Sequence, residues 1–214
     1  MLGFSFCESF PSSIERQFVI LEGETGARGS CNMPKNTTEA PERKAQAGYV
    51  LYIMRHGLAV AQSSVRFSDD AQRPLVPEGK EKMREIARGL NRMGFEMDWI
   101  VTSPLVRAVE TAEIIAESLA SSVPTDVCEA LRPGGSPEEL MAFLAKRPTR
   151  TRVLVVGHEP DLSELAARLI GAGSHANLGF KKGGCCMISF NEFPPRSPGQ
   201  LEWWLTPRLL RKLR

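Results

Sequence analysis

The chain has 214 residues, of which 42% are hydrophobic and 24% are charged, and its formal net charge is +2. This composition is that of an ordinary globular protein and excludes a fibrous repeat or a wholly disordered chain. The length predicts one domain with room for a small additional element, and no apolar run approaches the roughly 18 residues that a membrane helix requires.

Cysteine usage and the N-terminal residues bear on the compartment. The five cysteines are an odd number without a C-x-x-C pair, which is typical of a reduced protein. The start of the chain lacks the basic flank and the long apolar segment of a secretory signal. We therefore expect a cytoplasmic protein with no membrane partner.

Positive charge is concentrated at the C-terminal end. Residues 208–214 carry four of the 27 basic side chains and no acidic one, which leaves 23 basic against 25 acidic side chains elsewhere. A nucleic-acid-binding protein usually spreads positive charge over a face with aromatic residues between the charges. We therefore expect a solvated basic end and no nucleic-acid partner.

Residues 1–48 differ in composition from the rest of the chain. Within them, residues 32–47 are polar, include two prolines and have no helical or strand periodicity. Such a segment cannot bury enough apolar surface to offset the entropy lost on ordering. We predict a largely disordered N-terminal extension over residues 1–48, followed by a folded domain over residues 49–214.

Strand and helix patterns alternate through this domain. Runs rich in strand-forming residues predict strands over residues 49–54, 99–102, 153–156, 185–190 and 201–205, with a short extended stretch near residue 127. Apolar residues at three- or four-residue spacing predict helices over residues 78–93, from Ser103, from Ser136 and over residues 161–170. Gly94 is expected to close the first helix, and Ser103-Pro104 to form the N-cap and first residue of the second.

This alternation predicts the fold class. Strands and helices in turn are typical of an α/β fold with three layers, in which a mostly parallel sheet has helices on both faces. In such sheets ligands bind beyond the carboxyl ends of the strands. That rule points to three loops, at residues 55–57, 103–107 and 157–160.

The three loops hold two of the chain's three histidines, His56 and His158, and two arginines, Arg55 and Arg107. An arginine binds phosphate oxygens as a two-pronged fork and keeps its charge. Arg107 is expected in the first turn of its helix, where backbone N–H groups and the helix dipole also favour an anion. An imidazole aligned on phosphorus can act as a nucleophile while flanking cations stabilise the transferring group. The pattern predicts a pocket for a phosphate dianion.

Taken together, the motifs at these loops resemble those of the histidine phosphatase superfamily, which includes the phosphoglycerate mutase relatives. Residues 52–57, 102–112 and 156–160 are similar to its three motifs, in the expected order, and residues 73–79 and 203–207 are similar to the compact branch typified by phosphohistidine phosphatase SixA. The resemblance covers roughly residues 49–207. It implies a phosphoglycerate mutase-like fold and a phosphatase that forms a phosphohistidine enzyme intermediate.

The resemblance also implies roles for individual residues. His56 would be the nucleophile that takes the phosphoryl group, and water would then hydrolyse the phosphoenzyme. Arg55, Arg107 and His158 would hold the phosphoryl group, with His158 cationic once phosphate is bound.

Two smaller residues of these motifs, Gly57 and Ser103, are expected at the phosphate. Gly57 would let the backbone approach closely, and Ser103 would donate to a phosphate oxygen, although helix capping explains this serine equally well. The family needs neither metal nor cofactor, and the histidines here lack a ligand spacing such as H-E-x-x-H.

The general acid is the point at which the chain departs from larger relatives, which carry a catalytic carboxylate in an insertion after the second helix. Here only residues 120–135 occupy that position, and Glu129 is the candidate acid, with Asp126 the other acid nearby. A missing acid impairs cleavage of an alkyl phosphate ester most, because the imidazole of a phosphoramidate leaves readily once its nitrogen is protonated. This chemistry favours phosphohistidine on a protein as the substrate.

Three functional hypotheses follow. The first is a phosphatase for phosphohistidine on a signalling protein, such as a histidine phosphotransfer domain, and it predicts an open pocket. The second is a phosphatase for a small phosphorylated metabolite such as a sugar phosphate, and it predicts a lid, for which the chain has little material. The third is a non-catalytic phosphate-binding module, which the intact His56 argues against.

Other polar residues of the domain are expected to be solvated. His175 lies in a loop of small and polar residues, which is typical of a surface histidine. Asp69, Asp70 and Arg73 lie in a loop that is expected to rim the pocket, where solvation is favoured over contact with the substrate. Lys181 and Lys182 are expected to form a solvated turn, and contact with an acidic partner is the alternative.

Overall fold

A computed structural model of the chain describes residues 48–63, 67, 69–118, 122–173 and 176–213. The predicted N-terminal extension, except for residue 48, lies outside the described residues, and so does His175. In the described part of the chain, none of the helices is both long enough and apolar enough to cross a bilayer.

A single six-stranded sheet forms the centre of the domain. Its strands are β1 (Tyr49–Arg55), β2 (Trp99–Thr102), β3 (Thr125–Val127), β4 (Arg152–Gly157), β5 (Cys185–Phe190) and β6 (Gln200–Leu205). They lie in the order β3-β2-β4-β1-β5-β6. The first four are parallel to one another, whereas β5 runs antiparallel to β1 and β6 antiparallel to β5. The predicted mostly parallel sheet is confirmed.

Helices cover both faces of the sheet. They are α1 (Pro77–Arg92), α2 (Val106–Glu117), α3 (Pro137–Ala145), α4 (Asp161–Leu169) and α5 (Pro207–Lys212). Helices α1, α2 and α5 contribute to the apolar core on one face, and α3 and α4 to the core on the other. Leu154 and Val156 of β4 face the first core, while Val153 and Val155 face the second. A strand buried on both faces is therefore a continuous apolar run, and the three-layer prediction is confirmed.

The second helix begins later than the sequence predicts. Pro104 is not its first residue, because Leu105 is the N-cap of α2. The backbone N–H of Ser103 still donates to Val156 of the neighbouring strand, at 3.0 Å, so the chain leaves the sheet only after this residue. Arg107 nevertheless lies in the first turn of α2, as expected.

The basic C-terminal end is a packed helix and not the solvated segment that its charge predicts. Leu210 of α5 is fully buried against the core that includes α1, and Arg211 pairs with Glu85. A side chain at Gly89 of α1 would place its Cβ 2.0 Å from the Leu210 carbonyl oxygen, so this glycine allows the two helices to approach. The prediction of a solvated end, which was based on charge, is wrong because the buried Leu210 anchors this basic helix to the core.

Candidate active site

The three predicted loops meet at one edge of the sheet because β4 lies between β1 and β2. The backbone N–H of His56, just after β1, donates to the carbonyl of Gly157 at 3.1 Å. Ser103, just after β2, is bonded to β4 through its own N–H, as described above. Both loops are thus fixed by continuation of the sheet's hydrogen bonding before any side chain contributes.

A cavity of about 390 Å³ opens at this edge. Of the six residues predicted at the phosphate, Arg55, His56, Arg107 and His158 line it, and Gly57 and Ser103 do not. Its wall also holds the loop expected at the rim of the pocket, and Lys182, which sequence analysis did not place there. The charged side chains and histidines on its wall are Arg55, His56, Asp70, Arg73, Arg107, His158, Glu159 and Lys182. Cations and imidazoles thus outnumber carboxylates, as an anion-binding cavity requires.

His56 presents an unprotonated ring nitrogen. Its Nδ1 lies 2.7 Å from the carbonyl oxygen of Gly57. A carbonyl can only accept, so Nδ1 carries the hydrogen and Nε2 keeps its lone pair. Burial, more than the nearby cations, lowers the pKa of His56 to about 3. The imidazole is therefore neutral at pH 7, the form that can attack phosphorus.

His158 lies beside His56, with ring centroids 5.0 Å apart. Its Nε2 lies 2.8 Å from the hydroxyl oxygen of Ser103. Burial, followed by the charge of Arg107, lowers the pKa of His158 to about 4, so this ring is also neutral without a bound anion. Ser103 is fully buried and does not line the cavity, so its contact in the structure is with the His158 ring, which it helps to orient. The predicted contact of Ser103 with phosphate stays a prediction.

Arg55 and Arg107 each keep one hydrogen-bond donor that the described residues do not satisfy. Arg55 donates from Nη1 to the carbonyl of Phe180 at 2.7 Å. Arg107 donates from Nη1 to the carbonyl of Asp70 at 2.8 Å and from Nη2 to its carboxylate at 2.9 Å. The Nε–H groups of both arginines are buried and have no acceptor among the described residues. Buried donors are usually satisfied, so this pair is consistent with an anion that completes the site.

Asp70 and Arg73 line the cavity, as the sequence predicts, but their side chains bind each other, and Asp70 also binds Arg107, so they are not merely solvated. The Asp70 carboxylate accepts hydrogen bonds from both Arg73 and Arg107. Burial acts to raise the pKa of Asp70, but the bonds from Arg73 and Arg107 outweigh it, and the pKa lies below the usual value. Asp70 is therefore an ionised link between two cavity arginines.

Gly57 and Thr111 join the first loop to α2. The N–H of Gly57 donates to the Thr111 hydroxyl at 3.0 Å, and that hydroxyl donates to the carbonyl of Arg107 at 2.7 Å. A Cβ at Gly57 would lie 2.7 Å from Cγ of Met83, so the close approach that the structure shows is to the core. The predicted approach of this backbone to phosphate stays a prediction.

Comparison with known proteins gives the family. Residues 51–133 match the model of the histidine phosphatase superfamily (branch 1). An uncharacterised protein of Picosynechococcus sp. is 34% identical over 136 residues, which are 63% of this chain and 81% of that protein. Phosphohistidine phosphatase SixA of Escherichia coli strain K12 is 30% identical over 121 residues, 56% of this chain and 73% of SixA. The chain belongs to the histidine phosphatase superfamily.

A solved structure agrees with this assignment. The protein histidine phosphatase SixA complexed with tungstate superposes with a TM-score of 0.65 at 26% identity, covering 75% of this chain and 99% of that one. The phosphoglycerate mutase-like fold and the resemblance to the SixA-type branch are thereby confirmed.

The structure does not bring Glu129 into the cavity. Glu129 begins a short 3-10 turn after β3, pairs with Arg132, and has a side chain that is 73% exposed. The carboxylates on the cavity wall are instead Asp70 and Glu159. Glu159 accepts hydrogen bonds from the Ser163 hydroxyl at 2.6 Å and more weakly from a backbone N–H.

Lys182 is the cavity residue that sequence analysis missed most clearly, because the expected solvated turn lines the site. The turn immediately precedes β5, which runs antiparallel to β1. Because β5 is antiparallel to β1, its first residue lies at the edge of the sheet where β1 ends. The turn before β5 could therefore have been assigned to the site if the direction of β5 had been known from the sequence.

In the described ranges, no three or more His, Cys, Asp or Glu side chains are grouped as a metal ion would need. Cys185 and Cys186 face the two opposite cores of the domain, as their alternation on a strand predicts.

Proposed function

We propose that this chain is a phosphatase that transfers a phosphoryl group to His56 and then to water, and that its substrate is phosphohistidine on a signalling protein. The observation that carries the proposal is the tautomer of His56, since the bond from Nδ1 to Gly57 leaves a neutral Nε2 at the cavity. The unsatisfied Nε–H groups of Arg55 and Arg107 support an anion beside it.

In the first step the lone pair of His56 Nε2 attacks phosphorus, and the bond from phosphorus to the substrate imidazole breaks. The other ring nitrogen of the substrate takes a proton from solvent beforehand, so the imidazole leaves as a neutral molecule. Arg55 and Arg107 stabilise the charge on the phosphoryl oxygens during the transfer. A dianion beside His158 also favours its protonated form, which adds a further donor.

In the second step water attacks the phosphorus of phospho-His56. The P–N bond breaks, its electron pair returns to Nε2, and inorganic phosphate leaves with the oxygen and hydrogens of the water. His56 regains the neutral form in which its Nδ1 donates to Gly57. Neither step requires the chain to supply a strong acid.

The carboxylates of the cavity favour the phosphoramidate over an alkyl ester. Asp70 is held ionised by two arginines, and Glu159 accepts two hydrogen bonds from the protein. Neither is arranged to carry a proton to an alkoxide leaving group, which a sugar phosphate would need. A small phosphorylated metabolite is therefore the second candidate, and a binding module without catalysis the third.

The test is phosphate release from a phosphorylated histidine phosphotransfer domain, with EDTA present, by the wild type and by His56→Ala. A phosphoserine peptide and a sugar phosphate are the controls. We expect release from phosphohistidine alone and its loss in the variant. Release mainly from the sugar phosphate would favour the metabolite, and no release from any substrate by folded protein would favour the binding module.

A further inference from the structure

The turn at residues 180–184 is attached to the loop that carries the proposed nucleophile. The N–H of Gly183 donates to the carbonyls of Arg55 and His56, at 3.0 and 3.1 Å. The Arg55 guanidinium donates in return to the carbonyl of Phe180 at 2.7 Å. The turn and the nucleophile loop therefore form one hydrogen-bonded unit.

A second set of contacts fixes the start of this turn. The ring of Phe180 is buried and stacks on Trp204, with centroids 3.9 Å apart. The N–H of Phe180 donates to Glu159, beside His158, at 3.3 Å. Gly183 adopts a φ of +81°, a conformation that suits glycine. The turn is thus anchored both to the core and to two of the three site loops.

Lys182 lies on this anchored turn and lines the cavity. The residue as a whole is exposed, yet partial desolvation on the cavity side, followed by the charges of the three cavity arginines, lowers the pKa of its ammonium. Asp70 and Glu159 share the cavity, yet no carboxylate of the described residues lies within 4.0 Å of the Lys182 nitrogen. By contrast, the guanidinium groups of Arg73 and Arg107 both bind Asp70.

An ammonium group beside three guanidinium groups and without a counter-ion is stabilised when an anion enters. We propose that Lys182 is a further phosphate-binding residue, whose ammonium donates a hydrogen bond to a peripheral oxygen of the bound phosphoryl group. This inference rests on the proposed function of the cavity. Lys182 adds a mobile donor to the fixed forks of Arg55 and Arg107.

Lys181 provides a matched control on the same turn. Like Lys182 it is exposed and positively charged, but it does not line the cavity. We would titrate the wild type, Lys182→Met, Lys181→Met and Lys182→Arg with inorganic phosphate by calorimetry at pH 7.5. A hydrogen bond to a charged group predicts about tenfold weaker binding for Lys182→Met, affinity near that of the wild type for Lys181→Met, and substantial recovery for Lys182→Arg.

Two results would overturn the role of Lys182. One is equal phosphate affinity of Lys182→Met and the wild type. The other is equal weakening by Lys181→Met, which would indicate a long-range charge effect without contact. Failure of the wild type itself to bind phosphate would instead overturn the phosphate site as a whole, so the two failures are distinguishable.

Discussion

The carboxylate of Asp70 and the guanidinium of Arg107 are joined twice. Arg107 donates from Nη2 to the carboxylate at 2.9 Å and from Nη1 to the backbone carbonyl of the same residue at 2.8 Å. The Arg107 side chain is only 4% exposed, and the partner carboxylate comes from a loop that precedes α1. A buried cation on the cavity wall therefore already has a counter-ion within the protein. Under the proposed function, an entering phosphoryl group would be its second anion.

Replacing Asp70 by Asn should make the stability of the fold more sensitive to phosphate than that of the wild type. In phosphate-free buffer we expect the free energy of unfolding of Asp70→Asn to fall by about 1–2 kcal/mol. This is below the usual effect of breaking a buried ion pair, because the Asp70 side chain is 39% exposed. Saturating phosphate should then stabilise the variant more than the wild type, since it replaces the missing charge.

Urea unfolding at pH 7.5, with and without phosphate, measures both effects. Asp69→Asn is the control, because Asp69 caps the neighbouring turn by accepting from the N–H of Ala71 and asparagine retains that acceptor. Equal stability of Asp70→Asn and the wild type in phosphate-free buffer would contradict the assigned pairing.

The two cavity histidines should make the unliganded protein sensitive to mild acid. Their pKa values are lowered to about 3 and about 4 in the folded state, whereas an unfolded histidine titrates near 6.5. Below pH 6.5 the unfolded chain therefore binds more protons, and the free energy of unfolding falls as the pH drops. At pH 5 each histidine should account for a loss on the order of 2 kcal/mol relative to pH 7.5.

Unfolding curves of the wild type and of His56→Gln at pH 7.5 and 5.0 test this directly. Glutamine does not titrate, so the variant should lose about half as much stability as the wild type over that interval. The lowered pKa of Asp70 acts below this window and does not obscure the comparison. Identical losses in the two proteins would show that His56 is not a neutral buried base.

Sequence patterns predicted the part of the site that is local. Arg55 ends β1, and His56, Arg107 and His158 each follow a strand within a few residues. Because parallel strands end at a common edge, short motifs were sufficient to bring these residues together. The prediction from local sequence failed at Ser103, because pairing with the sheet determines the position of this residue. Its N–H extends the hydrogen-bond ladder to β4, and its side chain contacts His158. Helix-capping propensity predicts neither contact.

The remaining site residues depend on contacts between distant segments. Asp70 is 37 positions from Arg107, and Phe180, at the start of the turn that carries Lys182, is 125 positions from Arg55. Local composition made both segments look like solvated loops. Their contacts arise only when β5 pairs antiparallel with β1 and the loop before α1 folds over α2, which a single sequence does not reveal.

The C-terminal helix should contribute to stability through one residue. Leu210 is 0% exposed, whereas its neighbour Leu209 is 50% exposed. We expect Leu210→Ala to lower the free energy of unfolding by about 2–4 kcal/mol, because it leaves a cavity between α5 and α1, and Leu209→Ala to change it by less than about 0.5 kcal/mol. Urea unfolding of both variants gives the comparison, and equal effects would mean that α5 does not pack as described.

The general-acid role predicted for Glu129 can be separated from a surface role by its leaving-group dependence. A general acid matters most for an alkoxide leaving group, so its loss in Glu129→Gln would slow hydrolysis of a sugar phosphate far more than that of phosphohistidine. The exposed side chain and its ion pair with Arg132 argue instead for kcat/KM within about twofold of the wild type on both substrates.

Asp126→Asn serves as the comparison for this last experiment. Asp126 lies in β3, accepts a hydrogen bond from the indole of Trp99 at 2.8 Å and pairs with Arg147. The Asp126→Asn variant should have a lower free energy of unfolding, and any loss of kcat/KM should be equal for the two substrates. A selective loss on the sugar phosphate in Glu129→Gln alone would require Glu129 to reach the cavity during turnover. That result would also move the proposed substrate from the phosphoramidate towards the ester, because it would supply the acid that the cavity wall does not provide.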